Sequence, residues 1–383
     1  MTDTATTERP TGLSGLLSRI TTGSNAGSLR TSLTTVASSL AAVAIALSIC
    51  AVLLLVTGKS PVDAYSTILE TAGDSNKLLE MLRRSTPLIF SATAVAVGFK
   101  MNLFNIGVEG QYLFAALIAA EAGSRVSLPA VAHIVFILLV AMAAGALWAS
   151  ISGILKVYRN IHEVISTIML NYIALSVIQW LFENFFRDDT VEGLNVKTTI
   201  IAESGQMPDL VDGRLNAMFL VALATAGAFW VLVYRSRFGF RLRASGYNPN
   251  AAEVAGIGAR RMVIAAMLIS GAIAGLVAMY SVVGETYAYG PSATPTQFGF
   301  AGITVALLGR NHPIGIVIAA LLFGFLDSTS AVLQLADVPN SIVKVMQSII
   351  VLAVVVVNEA TIRRLNARTA EQMRAQTDSG EAS

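Results

Sequence analysis

Charged side chains are scarce in this chain: Asp, Glu, Lys and Arg make up 13% of its 383 residues, where a soluble globular domain carries about 25%. A surface wetted on all sides is therefore not expected. Cys50 is the single cysteine, which excludes an intrachain disulfide; set in an apolar block, it reads as a small core residue. The three histidines, His133, His162 and His312, lie too far apart for a zinc motif, so no metal site is expected. There is no G-x-x-x-x-G-K-[S/T] phosphate loop, and neither a G-x-S-x-G elbow nor a metal-ligand helix motif. Nothing nominates an enzyme or a site for ATP in this chain. A net charge of +2 supplies no general basic field for a nucleic acid polymer.

What the chain has in excess is apolar residues, 54% of the total, in long blocks. Uncharged apolar stretches of 18 or more residues read as membrane spans, because about 20 helical residues cross the hydrocarbon core. We expect an all-α, polytopic transmembrane bundle of about ten spans: 36–57, 86–99, 106–122, 129–151, 164–182, 215–234, 262–284, 299–309, 312–335 and 340–357. Residues 1–30 read as a disordered polar tail, 31–358 as one membrane domain and 359–383 as a second tail. The first apolar run is longer than the core of a signal peptide and reads as a retained span.

Charge asymmetry orients the spans. Segment 235–261 carries Arg235, Arg237, Arg241, Arg243, Arg260 and Arg261 against Glu253, which makes it a cytoplasmic loop. Segment 183–214 has seven acids against Arg187, Lys197 and Arg214, which places it outside. Arg9, Arg19 and Arg30 near one end, and Arg363, Arg364 and Arg368 near the other, put both termini in the cytoplasm. Ten spans satisfy all four assignments; nine or eleven break one.

Two spans are short. Residues 86–99 give only about 21 Å of helix and 299–309 less. One runs into 100–111, with Asn102, Asn105, Gly107 and Gly110; the other follows 290–299, with Pro291 and Pro295. Irregular backbone at membrane depth is tolerated only inside protein or beside a wet cavity. Paired interruptions in the two halves of a chain point to a transport pathway.

Several polar residues fall within or beside spans. Asn105 is placed to accept a backbone N–H at the start of the next helix, and Glu109 sits in that helix's first turn, where the dipole favours an anion. Asn102, Asn105, Glu109 and Gln111 read either as pathway lining or as a capped turn with small residues for packing. Asn171 and Gln179 suit interhelical hydrogen bonds, with pathway lining as the other reading. Phe104, Phe298 and Phe300 suit stacking on a ring-shaped solute, or plain packing. Asp327 and Lys344 are expected to form an intramembrane ion pair. In the basic loop, Asn248 is a good N-cap and Pro249 suits the first helical position. Ala251, Ala252, Glu253, Val254 and Ala255 continue a short helix that Gly256 or Gly258 ends. A helix this short needs a partner surface, and its small side chains make it a poor membrane anchor.

Four segments then carry a resemblance that covers most of 36–357. They are Gly98–Gln111, His162–Tyr172, Gly246–Pro249 with Ala251-Ala252-Glu253, and Phe298–Ile303 through Leu308-Gly309-Arg310. The chain resembles the permease subunits of bacterial ATP-binding-cassette importers for nucleosides and simple sugars, related to ribose and branched-chain amino-acid permeases. The resemblance implies multi-pass insertion in the bacterial cytoplasmic membrane. It also implies a second permease chain, identical or different, two ATP-binding subunits that hold ATP and Mg, and an extracytoplasmic solute-binding lipoprotein. Asn248, Pro249, Ala251, Ala252, Glu253 and Gly256 would then form a coupling helix seated in the ATPase. Ala251-Ala252-Glu253 with Gly256 only partly matches the Glu-Ala-Ala…Gly pattern of other importers, and Ala301 stands where relatives often carry a polar or acidic residue. Alternating access for nucleosides is the function implied. A ribose-like sugar permease is the alternative, and an ion-coupled secondary transporter the reading from another class.

Overall fold

The computed structural model describes residues 44–363, apart from 191–195, 212, 292, 293, 295, 336, 337, 340 and several positions between 351 and 362. The tail expected over 1–30 and nearly all of that over 359–383 lie outside the described residues. Residues 62–344 make one compact unit; the chain up to Pro61 and from Val345 onward makes another. In the latter, helix α1 (Ala44–Val56) buries Ala46, Cys50 and Leu54, four residues apart along one stripe.

The larger unit is built around α3 (Ser75–Lys100), which follows α2 (Pro61–Ala72). Asp74 caps α3, accepting from the N–H of Asn76 at 2.8 Å. Every residue from Ser85 to Gly98 is buried, so the helix is surrounded on all sides. The short span expected over 86–99 is thus the inner part of a 26-residue helix. Lys77, Glu80, Arg83 and Arg84 in its first turns hide the rest from hydropathy. The helix stops where the sequence breaks: Met101 and Leu103 both donate to the Gly98 carbonyl, and Asn102 takes a positive φ of 58°.

After α3 come α4 (Val108–Arg125), α5 (Ala130–Arg159), α6 (Glu163–Leu181, ending in a π-helical turn to Phe186) and α7 (Met218–Trp230, ending likewise at Arg235). Then come α8 (Arg237–Tyr247), α9 (Pro249–Val254), α10 (Ala259–Gly275), α11 (Met279–Gly284), α12 (Phe298–Leu308) and α13 (Pro313–Leu335). A further apolar helix, α14, covers Ser341–Ile350. Among the described residues five helices, counting π-helical ends, are long and apolar enough to cross a membrane: Ala130–Arg159, Glu163–Phe186, Met218–Arg235, Ala259–Gly284 and Pro313–Gln334.

Small residues let α5 and α10 touch backbone to backbone. A Cβ at Gly145 would stand 2.3 Å from the Gly271 carbonyl oxygen, and one at Gly275 would stand 2.1 Å from that of Ala141. Without a hydrophobic drive between helices in lipid, such close approach is what holds them together. The purely helical expectation needs one correction. In the loop after α6, β1 (Asp209–Val211) pairs antiparallel with β2 (Leu215–Asn216), a hairpin too short and too exposed on β1 to mark the sequence.

Candidate functional site

The two interrupted segments meet. Helix α4 begins after the break at 101–107, and α12 begins after a segment whose described residues, from Glu285 to Gln297, are not helical. Helix α12 has no side-chain cap from its own N-terminal residue: Gln297 precedes it in the left-handed region at φ 73°. Glu109, in the first turn of α4, supplies one. Its Oε1 accepts the Gln297 N–H at 2.5 Å and its Oε2 the Gly299 N–H at 2.8 Å. Tyr112 donates its hydroxyl to the same carboxylate at 2.8 Å. A carboxylate over orphan N–H groups at a helix N-terminus is favoured both as acceptor and as charge. The approach needs glycine, since a Cβ at Gly299 would stand 2.7 Å from the Glu109 nitrogen. Ser91 on α3 completes the junction, donating to the Phe298 carbonyl at 2.7 Å.

Behind the carboxylate lies a buried amide network. The Asn105 amide donates to Gln111 at 3.0 Å and to the Ser270 hydroxyl at 2.8 Å, and Ser270 donates to the Ala94 carbonyl at 2.6 Å. Asn105 Oδ1 accepts from Gly107 N–H and from Gln111. Asn105 therefore holds the residue before the helix, and Gly107 occupies the cap position itself. Asn171 on α6 accepts from the Gly110 N–H at 2.9 Å and donates to the Ile106 carbonyl at 3.0 Å. These amides satisfy the peptide groups freed by the break.

Asn102 and Phe300 are exposed and Phe298 is half-buried. Phe104 packs edge-on against Phe99. Asp327 is half-buried on α13. Lys344 sits on α14 with its ammonium 3.5 Å from the Gln297 amide oxygen. The roles of Ser91, Tyr112, Ser270 and Gln297 escaped the sequence reading. Hydroxyls and an amide in apolar runs show no periodicity, and only the fold puts them beside Glu109 and Asn105.

From this junction the two helices lead to opposite faces. The far end of α4 reaches a face where buried His133 contacts the Gly123 carbonyl at 2.9 Å and Ser204 of the acidic loop at 2.8 Å. Arg83 lies on that face too, bonded to Glu285 at 2.6 Å and to Glu80 at 3.0 Å. Burial alone would raise the Glu80 carboxyl, but the guanidiniums of Arg83 and Arg84 outweigh it and hold the group below the usual carboxylate range. The far end of α12 reaches the basic face. There His312 meets Tyr234 at a tilt of 50°, and Lys100 and Arg243 lie over the same tyrosine ring. Lys156 and Glu163 close the turn between α5 and α6 as an ion pair.

On the basic face Asn248 caps α9, accepting from Ala251 N–H at 3.0 Å, with Pro249 at the first position. Ile257 donates to the Ala252 carbonyl and Gly256 takes φ 78°, the geometry of a Schellman stop. The helix ends at Val254, one residue before the expected continuation through Ala255, which already leaves helical geometry. Only Ala252 on α9 is buried, whereas Tyr247 is 96% and Val254 91% exposed. The preceding α8 lies against the first break: Leu242 packs with Met101 and Leu103, and a Cβ at Gly246 would stand 2.7 Å from Met101 Cα. Among the described residues no three His, Cys, Asp or Glu side chains gather as metal ligands.

Comparison with known proteins finds relatives that align with about four fifths of the chain. The guanosine ABC transporter permease NupP of Bacillus subtilis is 38% identical over 318 residues, covering 82% of this chain and 91% of the relative. The nucleoside ABC transporter permease NupB of Lactococcus lactis is 33% identical, covering 80% of this chain and 86% of its own length. A glucose ABC transporter permease of Haloferax volcanii is 31% identical, covering 80% and 83%. The family described as branched-chain amino acid transport system / permease component matches residues 77–355. With apolar helices around a junction of two broken segments and a capped loop on the basic face, the chain belongs to that family and is an integral-membrane permease subunit of an ABC transporter, not itself an enzyme.

Proposed function

We propose that this permease forms the translocation pathway of a nucleoside importer working by alternating access. The observation that carries the reading is the similarity to the guanosine permease, 38% over 91% of that protein's length. A sugar is the second reading, favoured by the glucose permease at 31% identity. ATP and Mg belong on separate ATP-binding subunits. A second permease and a solute-binding lipoprotein on the outer side complete the assembly.

Ten spans with both termini cytoplasmic fit the basic face carrying Lys100, Tyr234, Arg243 and α9, and the opposite face carrying the acidic loop. Asn248, Pro249, Ala251, Ala252, Glu253 and Gly256 make the coupling helix, and exposed Tyr247 and Val254 are its apolar contacts with the ATPase. A movement of that helix has a packed route inward: through Leu242 and Gly246 to Met101 and Leu103, then to Asn105, Gln111 and Glu109, and so to Gln297 and Gly299. In this reading Asn105, Glu109, Gln111 and Asn171 frame the pathway, and Asn102, Phe298 and Phe300 face it. Discrete rearrangement of packed elements is how such a route transmits a small displacement.

The test is uptake of labelled guanosine by cells with and without the gene, with the proton gradient collapsed and ATP maintained. Gene-dependent uptake that survives is expected; uptake of glucose alone would favour the sugar reading.

A further inference from the structure

A cavity of about 450 Å³ opens beside the junction, between α6, α4 and the segment that leads into α12. It lies within the range of about 300–1,000 Å³ that holds small molecules. Its walls are unusual for a helix surface in lipid. Gln179, Glu183 and Arg187 face it from the end of α6, and Thr294 and Thr296 from the opposite wall. Phe182 and Tyr289 meet edge to face at 5.9 Å on the same boundary. These charged and amide groups stand at the outer end of the span, where the acidic loop begins and a cavity can hold water.

The wall is built, not loose. Thr198 N–H donates to the Tyr289 carbonyl at 2.8 Å, Tyr289 N–H donates to the Thr198 hydroxyl at 3.1 Å, and Ile201 N–H donates to the Tyr287 carbonyl at 2.8 Å. The acidic loop thus fastens the strand of chain that carries the cavity's threonines. That same strand ends at Gln297, whose N–H Glu109 holds. The cavity and the helix junction therefore border the same segment. Gln179 donates to Glu183 at 3.0 Å, which leaves the amide oxygen and the second carboxylate oxygen for a ligand.

Resting on the permease reading above, we propose that this cavity is the solute subsite of the outward-open state and that it takes an uncharged nucleoside. The chemistry selects the class. One carboxylate and one guanidinium cancel, and among the described residues lining the cavity no other charge offsets a phosphate. Acceptors, an amide and hydroxyls suit sugar hydroxyls and base edges, and the Phe182–Tyr289 pair suits a flat ring. A second cavity, bounded by Arg83, Glu285 and Phe298, is smaller at about 190 Å³, and its charges are already paired with each other.

The experiment uses the whole complex, with its ATPase, second permease and binding lipoprotein, in proteoliposomes. Gln179→Leu, Glu183→Gln and Thr294→Val should each lower guanosine uptake about tenfold below saturation, the size of one lost hydrogen bond to the solute. Binding of guanosine to the lipoprotein and ATPase activity without solute should not change. In a Cys50→Ser background, the Gln179→Cys variant should react with a water-soluble thiol reagent, and guanosine, but neither its monophosphate nor glucose, should protect it. Wild-type uptake with all three variants unimpaired overturns the subsite, as does labelling that guanosine leaves unaltered or an unreactive thiol. A wild-type complex that moves no nucleoside overturns the nucleoside reading instead.

Discussion

The carboxylate of Glu109 caps the helix that begins near Gly299, 190 residues further along the chain. It does what Ser, Asp or Asn does at an ordinary N-terminus, but from a different helix, and so joins the two broken segments. Glu109→Ala should lower thermal stability in detergent by an amount corresponding to about 2–3 kcal/mol, the range for a hydrogen bond to a charged group. Glu109→Gln, which keeps an acceptor, should lose less. Equal losses in both, or none in either, would show that the cap is not what holds the junction.

The coupling loop gives a second expectation. Tyr247→Ala and Val254→Ala leave the fold untouched because both side chains stand in solvent. They should weaken retention of the ATP-binding subunit in a pull-down. Asn248→Ala removes the cap and should cost about 1 kcal/mol of local helix stability. Glu253→Arg should uncouple solute-stimulated ATPase activity from uptake; an unchanged ratio counts against a role for that acid.

Gly246 offers a test of the route inward. A side chain there meets Met101 backbone, so Gly246→Val should depress transport more than subunit association. On the side-chain part of the route, Leu242→Ala paired with Leu103→Ala in a double-mutant cycle should give a non-additive result, since packed neighbours couple. Strict additivity would argue against transmission through this contact.

Acid stability carries a sign. The Glu80 carboxyl titrates below its usual 4.5 in the folded chain. Its ion pairs therefore stabilise fully above that value, and the contribution is lost as pH falls through the lower, folded value. A Glu80→Gln variant should melt earlier than wild type near pH 7 and converge with it below pH 4.5. Partial exposure of the cluster keeps the difference small.

Asp327 and Lys344 remain a proposed pair across α13 and α14. Asp327→Asn alone should lower folded yield, and adding Lys344→Met should restore part of it. Equal losses in single and double variants would refute the pairing.

Composition and pattern alone determined a good deal. Apolar blocks located most helices within a few residues because a membrane imposes length and hydropathy on each span. Asn248-Pro249 fixed the start of α9 and left its end between two glycines, of which Gly256 takes the positive φ, because caps and positive φ are local demands that a few residues satisfy. The two breaks were legible for the same reason: Asn102, Asn105 and Gly107 at one and Pro291 and Pro295 at the other are residue types that interrupt helices. The lengths of α3 and of the outer hairpin were not legible, since charged turns mimic a loop and two-residue strands leave no pattern. Only the tertiary structure decided what Glu109 is for. Its partners are backbone N–H groups, which every sequence contains, and nothing in the order of side chains says which helix start folds against which carboxylate.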